Sequence, residues 1–125
     1  IDNVKLDIFT DKEIYIENKN IIPLNDQINI HFELKDEIFK SANCIMTDVF
    51  NSMNDKENKE PKLKNFQVNK KIMSLSPKAV FMHCLPAKID SEVTLEVLKS
   101  DQSIVKQQAK NRLVAQRGIL QWLNI

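Results

Sequence analysis

Glycine is almost missing from this 125-residue chain, Gly118 being the only one. That excludes a glycine-rich phosphate loop of the P-loop or dinucleotide kind, in which the backbone itself must approach the phosphates. Any phosphate bound here has to be held by side chains or by another domain. Cysteine is scarce as well: Cys44 and Cys84 lie far apart, so no disulfide framework is expected and a reducing compartment fits better. Histidine is limited to His31 and His83, each isolated, and no familiar four-ligand metal spacing can be assembled from this set. A dominant charge is also lacking. Lys and Arg total 18 against 17 Asp and Glu, a formal net charge of +1, so no overall field draws nucleic acid or an anionic membrane. No apolar run nears the roughly 20 residues of a membrane helix. The start, Ile1-Asp2-Asn3-Val4, has neither an initiator Met nor a leader pattern, and reads as a cut inside a longer chain.

What remains is ordinary globular composition, 42% hydrophobic and 28% charged, in one domain's length of sequence. The stretch that organises it is Val80-Phe81-Met82-His83-Cys84-Leu85-Pro86-Ala87. Val80 to Met82 is apolar without alternation, the pattern of a short strand buried on both faces in a parallel sheet. His83 and Cys84 then fall at the strand's carboxyl end, where open α/β sheets bind their ligands. Pro86 ends the strand, since it has no backbone N–H to donate.

Along the chain, Val4 to Thr10 reads as a strand and Asp11 to Asn25 as a poorly defined helix or loop ending at Pro23. Ile28 to Phe32 alternates cleanly as an edge strand, with His31 on its polar, solvated side. Lys35 to Ala42 is a short helix and Cys44 to Thr47 another buried strand, followed by Asp48-Val49-Phe50-Asn51-Ser52-Met53-Asn54. Asp55 to Lys64, highly charged and carrying Pro61, is expected to be an exposed, mobile loop. Phe66 to Leu75 resumes a helical pattern. Thr94 to Leu98 is a short helix with Thr94 as N-cap. Ile104 to Leu123 becomes strongly helical from about Ala109, with Ala109, Leu113, Leu120 and Leu123 on one face. Strands alternating with helices specify an α/β fold, doubly wound around a mainly parallel sheet.

Two strand ends carry unusual polar groups: Asp48 with Ser52 and Met53, and His83 with Cys84. If these strands are adjacent and parallel, the groups converge at one edge. A carboxylate suits a substrate ammonium, a hydroxyl adds a directional hydrogen bond, and a thiol beside a backbone turn can meet a polar head group. Arg112 could supply a fork for carboxylate or phosphate. Taken singly, each residue has a plainer role: a core cysteine, a turn or cap aspartate, a solvated helix arginine. A receiver-type signalling domain also ends a strand in aspartate, but it needs an acidic pair near Asp11 and a lysine where His83 stands.

Four segments together resemble the aspartate/ornithine carbamoyltransferase family, ornithine carbamoyltransferases in particular. Asp48-x-x-x-Ser52-Met53 is similar to that family's substrate loop, and Phe66-Gln67-Val68-Asn69 to its aromatic-Gln-Val-Asn helix start. His83-Cys84-Leu85-Pro86 is similar to its most diagnostic segment, and Gln108-Ala109-x-Asn111-Arg112-Leu113 to the start of its C-terminal helix. The resemblance runs from about Val4 to the end. It implies that residues 1–125 are the second, ornithine-binding domain of a two-domain enzyme with a Rossmann-like sheet. The first domain, with most carbamoyl phosphate contacts, lies outside this sequence, and the helix over 109–125 packs on it.

The resemblance further implies transfer of a carbamoyl group from carbamoyl phosphate to the δ-amine of ornithine, giving citrulline and phosphate, a step of arginine biosynthesis. Asp48 would take the α-ammonium, with Ser52 and Met53 completing that end of the pocket. His83, Cys84 and Leu85 would lie along the reacting groups, and Arg112 would reach the carbamoyl phosphate. No metal or organic cofactor is implied. The whole protein would be a homotrimer of the bacterial cytoplasm or the mitochondrial matrix. The chain departs from the family pattern at Asn54 (for glycine), at Lys88-Ile89-Asp90 (for His-Arg-Gly), at Lys110 (for glutamate) and at Val114 (for histidine). These changes leave open another amine, such as putrescine or acetylornithine, or a binding paralogue without catalysis. The fragment alone is expected to be inactive.

Overall fold

In the computed structural model, residues 4–21, 25–53 and 55–124 are described. Pro23 and Asn54 therefore lie outside the described residues. Four short parallel strands alternate with helices, as the α/β pattern requires. Strands β1 (Leu6–Phe9) and β2 (Ile28–His31) are joined through helix α1 (Lys12–Asn18) and pair in parallel. The Asp11 carboxylate caps α1, accepting from the Glu13 and Ile14 backbone N–H groups. Helix α2 (Asp36–Lys40) leads into β3 (Cys44–Thr47). The crossover from β3 to β4 (Val80–His83) holds helix α3 (Glu60–Leu63), a 3-10 turn at Lys64–Phe66, and helix α4 (Lys70–Leu75). Helices α5 (Leu95–Leu98) and α6 (Val105–Trp122) follow.

The sheet is divided into two pairs, β1 with β2 and β3 with β4. In the second pair Thr47 stands opposite His83, and the register runs back to Cys44 opposite Val80. The far edge of β4 is covered: the Phe81 N–H donates to the Gln102 carbonyl and the Ile104 N–H donates to that of Phe81. The core sits on this side, around Phe81, Val93 and Val97, each at most 1% exposed, with Phe39, Ile45, Ile72 and Met73.

Several sequence expectations change on contact with the fold. Cys44 and Met46 are exposed, so only Ile45 of β3 is buried, because among the described residues no strand pairs along the other edge of β3. His31 is not a solvated side chain. Its Nε2 stands 2.8 Å from Asp7 Oδ1 across the β1–β2 ladder, and its ring stacks on Phe9 at 5.0 Å between centroids. The charged stretch after Asp55 is built rather than loose. Asp55 accepts from the Ser52 N–H and pairs with Lys59, and Pro61 sits in the first turn of α3, where a missing N–H costs nothing.

Helix α4 starts at Lys70, capped by Asn69, because Val68 is extended and bridges to Val93. Thr94 occupies the N-cap of α5, yet its hydroxyl makes no cap bond and is buried without a partner. Helix α6 begins at Val105, earlier than Ala109, and Val105 is its only buried residue. The stripe expected to pack is in solvent, with Leu113 61% and Trp122 81% exposed.

Candidate active site

The register of β3 and β4 decides the geometry. Because Thr47 pairs with His83 in parallel, the next residues, Asp48 and Cys84, leave the sheet side by side at its carboxyl end. Oxygen of Asp48, sulfur of Cys84 and a ring nitrogen of His83 all lie within 4.8 Å of one another. The Asp48 carboxylate is held from behind, its Oδ1 accepting from the Val49 N–H at 2.7 Å. Hydrogen bonding with Cys84, that backbone donor and the nearby His83 hold the carboxyl below its usual range, against a smaller opposing effect of burial. The thiol responds in the opposite sense. Asp48 as acceptor, then burial, then the Asp48 charge push the Cys84 pKa up, opposed by its own backbone and by Arg112. Around neutral pH the pair is therefore a thiol beside a carboxylate.

His83 does different work from Cys84. It is fully buried, and both ring nitrogens are engaged. The Leu85 N–H donates to Nδ1 at 2.9 Å, which leaves the ring proton on Nε2, 3.1 Å from Glu92 Oε1. The same Glu92 oxygen accepts from the Lys88 N–H at 2.6 Å. One buried carboxylate thus fastens both sides of the turn that carries Leu85 at φ 58° and Asp90 at φ 64°. Gln67 Nε2 donates to the carbonyls of Asp90 and Ser91 and secures its far end.

Helix α6 closes the remaining side. Gln108 accepts the His83 backbone N–H at 2.9 Å, and one turn later Arg112 Nη2 donates to the Cys84 carbonyl at 2.7 Å. Leu85 is 40% exposed and Met53 fully exposed, while Ser52 is occupied in its turn with Asp55. The structure thus gathers Asp48, His83, Cys84, Leu85 and Arg112, and leaves Ser52 and Met53 on a neighbouring surface turn.

As a metal site the cluster is poor. Asp48 and Cys84 offer two ligands, but the His83 nitrogens are committed to Leu85 and Glu92, and the thiol resists ionisation. Glu92, Gln67 and Gln108 were not singled out from sequence as site residues. Glu92 had one visible signal: an acid set between Ser91 and Val93 just after the proline turn.

Comparison with known proteins defines the class. A family model described as the aspartate/ornithine carbamoyltransferase Asp/Orn binding domain matches residues 3–123. The chain belongs to that family. Among its relatives, an ornithine carbamoyltransferase of Rhodopseudomonas palustris is 51% identical over 90 residues, 70% of this chain and 29% of that protein. The chain thus spans less than a third of the length of the curated relatives it matches. Among solved structures, an ornithine carbamoyltransferase from Pyrococcus furiosus matches with TM-score 0.66 and 38% identity, over 75% of this chain and 31% of that one. The enzyme from Burkholderia thailandensis matches with TM-score 0.77 and 28% identity, over 95% of this chain and 38% of that one.

Proposed function

We propose that this chain is the amino-acid-substrate half of an ornithine carbamoyltransferase whose carbamoyl phosphate half is supplied by a separate domain. The observation that carries the reading is the adjacency of Asp48 and Cys84 at paired strand ends, with Arg112 on the Cys84 carbonyl. In the reaction the neutral δ-amine attacks the carbamoyl carbon, a C–N bond forms, and the C–O bond to phosphate breaks as the amine sheds a proton. Asp48 holds the α-ammonium. Ser52 and Met53 complete that end of the pocket once their turn meets the ligand.

A neutral Cys84 thiol favours attack, because a thiolate would stabilise the unreactive ammonium. Carbonyls of Cys84 and Leu85 orient the amine, and His83, buried behind them, fixes their turn. Arg112 supplies positive charge for the departing phosphate. Positioning of two reactants and charge stabilisation then account for most of the rate gain. The whole protein works as a homotrimer without metal or cofactor.

The experiment is a calorimetric titration of the protein with ornithine, beside citrulline formation by the whole two-domain protein. Asp48→Asn should weaken ornithine binding at least tenfold, and unchanged affinity removes the assignment. The departures at Lys88, Ile89, Lys110 and Val114 make the amine the point to test: product formation should rank ornithine above putrescine and acetylornithine. A reversed order would keep the carbamoyltransferase reading and replace its substrate. Binding without turnover in the whole protein would favour the non-catalytic paralogue. The isolated chain should form no citrulline.

A further inference from the structure

We propose that the groove between helices α4 and α5 binds a small α-amino acid as its zwitterion. The carboxylate sits on Lys70, the ammonium on Glu96, and a donor-ended side chain lies along the groove. This place shares no residue with the Asp48–Cys84 crevice and takes no part in the reaction proposed above. A cavity of about 210 Å³ lies there. That is below the roughly 300–1,000 Å³ of drug-sized pockets, so the occupant is smaller than a nucleotide or a peptide.

Two opposite charges stand at its rim. Lys70 opens α4 and Glu96 lies in the first turn of α5, and Lys70 Nζ meets Glu96 Oε1 at 2.6 Å. Both side chains line the cavity, yet they are 76% and 59% exposed. An exposed pair of this kind adds little to a fold, so parting it costs little. The helix starts are held by other bonds: Asn69 caps α4, and the Thr94 N–H donates to the Val68 carbonyl. Lys70 has further protons and Glu96 a second oxygen to offer. An α-amino acid carries a carboxylate and an ammonium side by side, and so can form a charge-assisted hydrogen bond with each partner. A simple cation or anion would satisfy one end and meet its own sign at the other.

The walls choose the side chain. Lys70, Met73 and Ser74 fall at i, i+3 and i+4 and share one face of α4, with Val97 and Ser100 across the groove. Met73 and Val97, 3% and 1% exposed, make an apolar floor. The uncharged polar side chains around it offer acceptors alone. The Ser74 and Ser100 hydroxyls donate to the Lys71 and Val97 carbonyls, which leaves only their lone pairs. Gln102 spends both amide protons on the Ser76 and Ala79 carbonyls, so its Oε1 is what remains to bond. Such a set takes a hydrogen-bond donor and turns away a carboxylate. The side chain it selects is a short apolar stem ending in an amide or similar N–H group.

The test titrates the 125-residue protein with L-glutamine and follows backbone amide resonances. Those of Lys70, Ser74, Glu96 and Ser100 should shift saturably. Lys70→Met and Glu96→Gln, each losing one charge-assisted bond, should weaken binding about tenfold. The double swap Lys70→Glu with Glu96→Lys keeps an ion pair but exchanges its ends, and should also weaken binding about tenfold. L-glutamate, nearly the same shape with acceptors in place of the donor, should bind several-fold more weakly. Absence of saturable shifts at these four amides overturns the proposal, as does equal affinity for L-glutamate or unchanged affinity in the swap. Saturable shifts confined to the surroundings of Asp48 and Cys84 also overturn it, since they would put the amino acid in the other crevice.

Discussion

Asp48 and Cys84 move each other's proton affinity in opposite directions, the carboxyl down and the thiol up. A group whose pKa is lowered on folding stabilises the fold above its ordinary range, and loses that contribution as pH falls through the lowered value. A group whose pKa is raised stabilises below its ordinary range, and loses it as pH rises through the raised value. The pair is thus intact across neutral pH and weakened at both extremes.

The first prediction follows from that coupling. Alkylation of Cys84 by iodoacetamide, followed by mass spectrometry against pH, should have its midpoint above the ordinary thiol range. Asp48→Asn removes the charge and the stronger acceptor, so the midpoint should move down. Cys44, exposed on one side but with its thiol pushed up by the protein atoms packed on the other and not by Asp48, should keep its profile and serve as the internal reference. An unmoved Cys84 midpoint would mean that the two side chains do not interact in solution.

Glu92 is the second target. Glu92→Leu strands the buried His83 Nε2 and the part-buried Lys88 N–H, and should cost about 2–4 kcal/mol in urea unfolding. Glu92→Gln keeps an acceptor for both and should cost about 1–2 kcal/mol at most. Equal loss in the two variants would place the stabilisation in shape rather than in hydrogen bonding.

Phe81 is fully buried at the centre of the core. Phe81→Ala should lower stability by about 3–5 kcal/mol, because the cavity it leaves is enclosed by Val93, Val97 and the helices above.

Exposure of α6 makes the opposite prediction. Leu113→Ser and Trp122→Ser, at side chains mostly in solvent, should each change the stability of this chain by no more than about 0.5 kcal/mol. In a longer chain that carries the proposed carbamoyl phosphate domain, the same substitutions should be several-fold more costly, as packing of the helix on that domain requires. Slow amide exchange along the outer turns of α6 in a monomer would contradict the exposed arrangement.

The legible parts of the fold were those set by local pattern. Val80 to Met82 read as a buried strand because it is apolar and closed by a proline turn, and Asp48 and Cys84 followed as neighbours from parallel pairing alone. What failed depended on partners far away in sequence. Cys44 and Met46 look like core, and with no strand beside them among the described residues they stand exposed. His31 looks solvated until Asp7 is placed opposite it. Helix α6 begins four residues before its apolar stripe, and in that first turn Gln108 accepts the His83 N–H, a bond that no periodicity reveals. Glu92 was overlooked for the same reason, since an acid earns a buried place only through partners elsewhere in the chain.

One exposed ion pair has a consequence for how the crevice behaves. Lys88 Nζ meets Glu60 Oε2 at 2.6 Å and so ties the turn after β4 to the helix that follows the Asp48 segment. Pairs of this kind are shielded by dissolved ions, with a screening length that shrinks from about 10 Å at 0.1 M to about 3 Å at 1 M. Brine should therefore unclip the two rims from each other while the strands beneath stay put, leaving a mouth whose width is set by ionic strength.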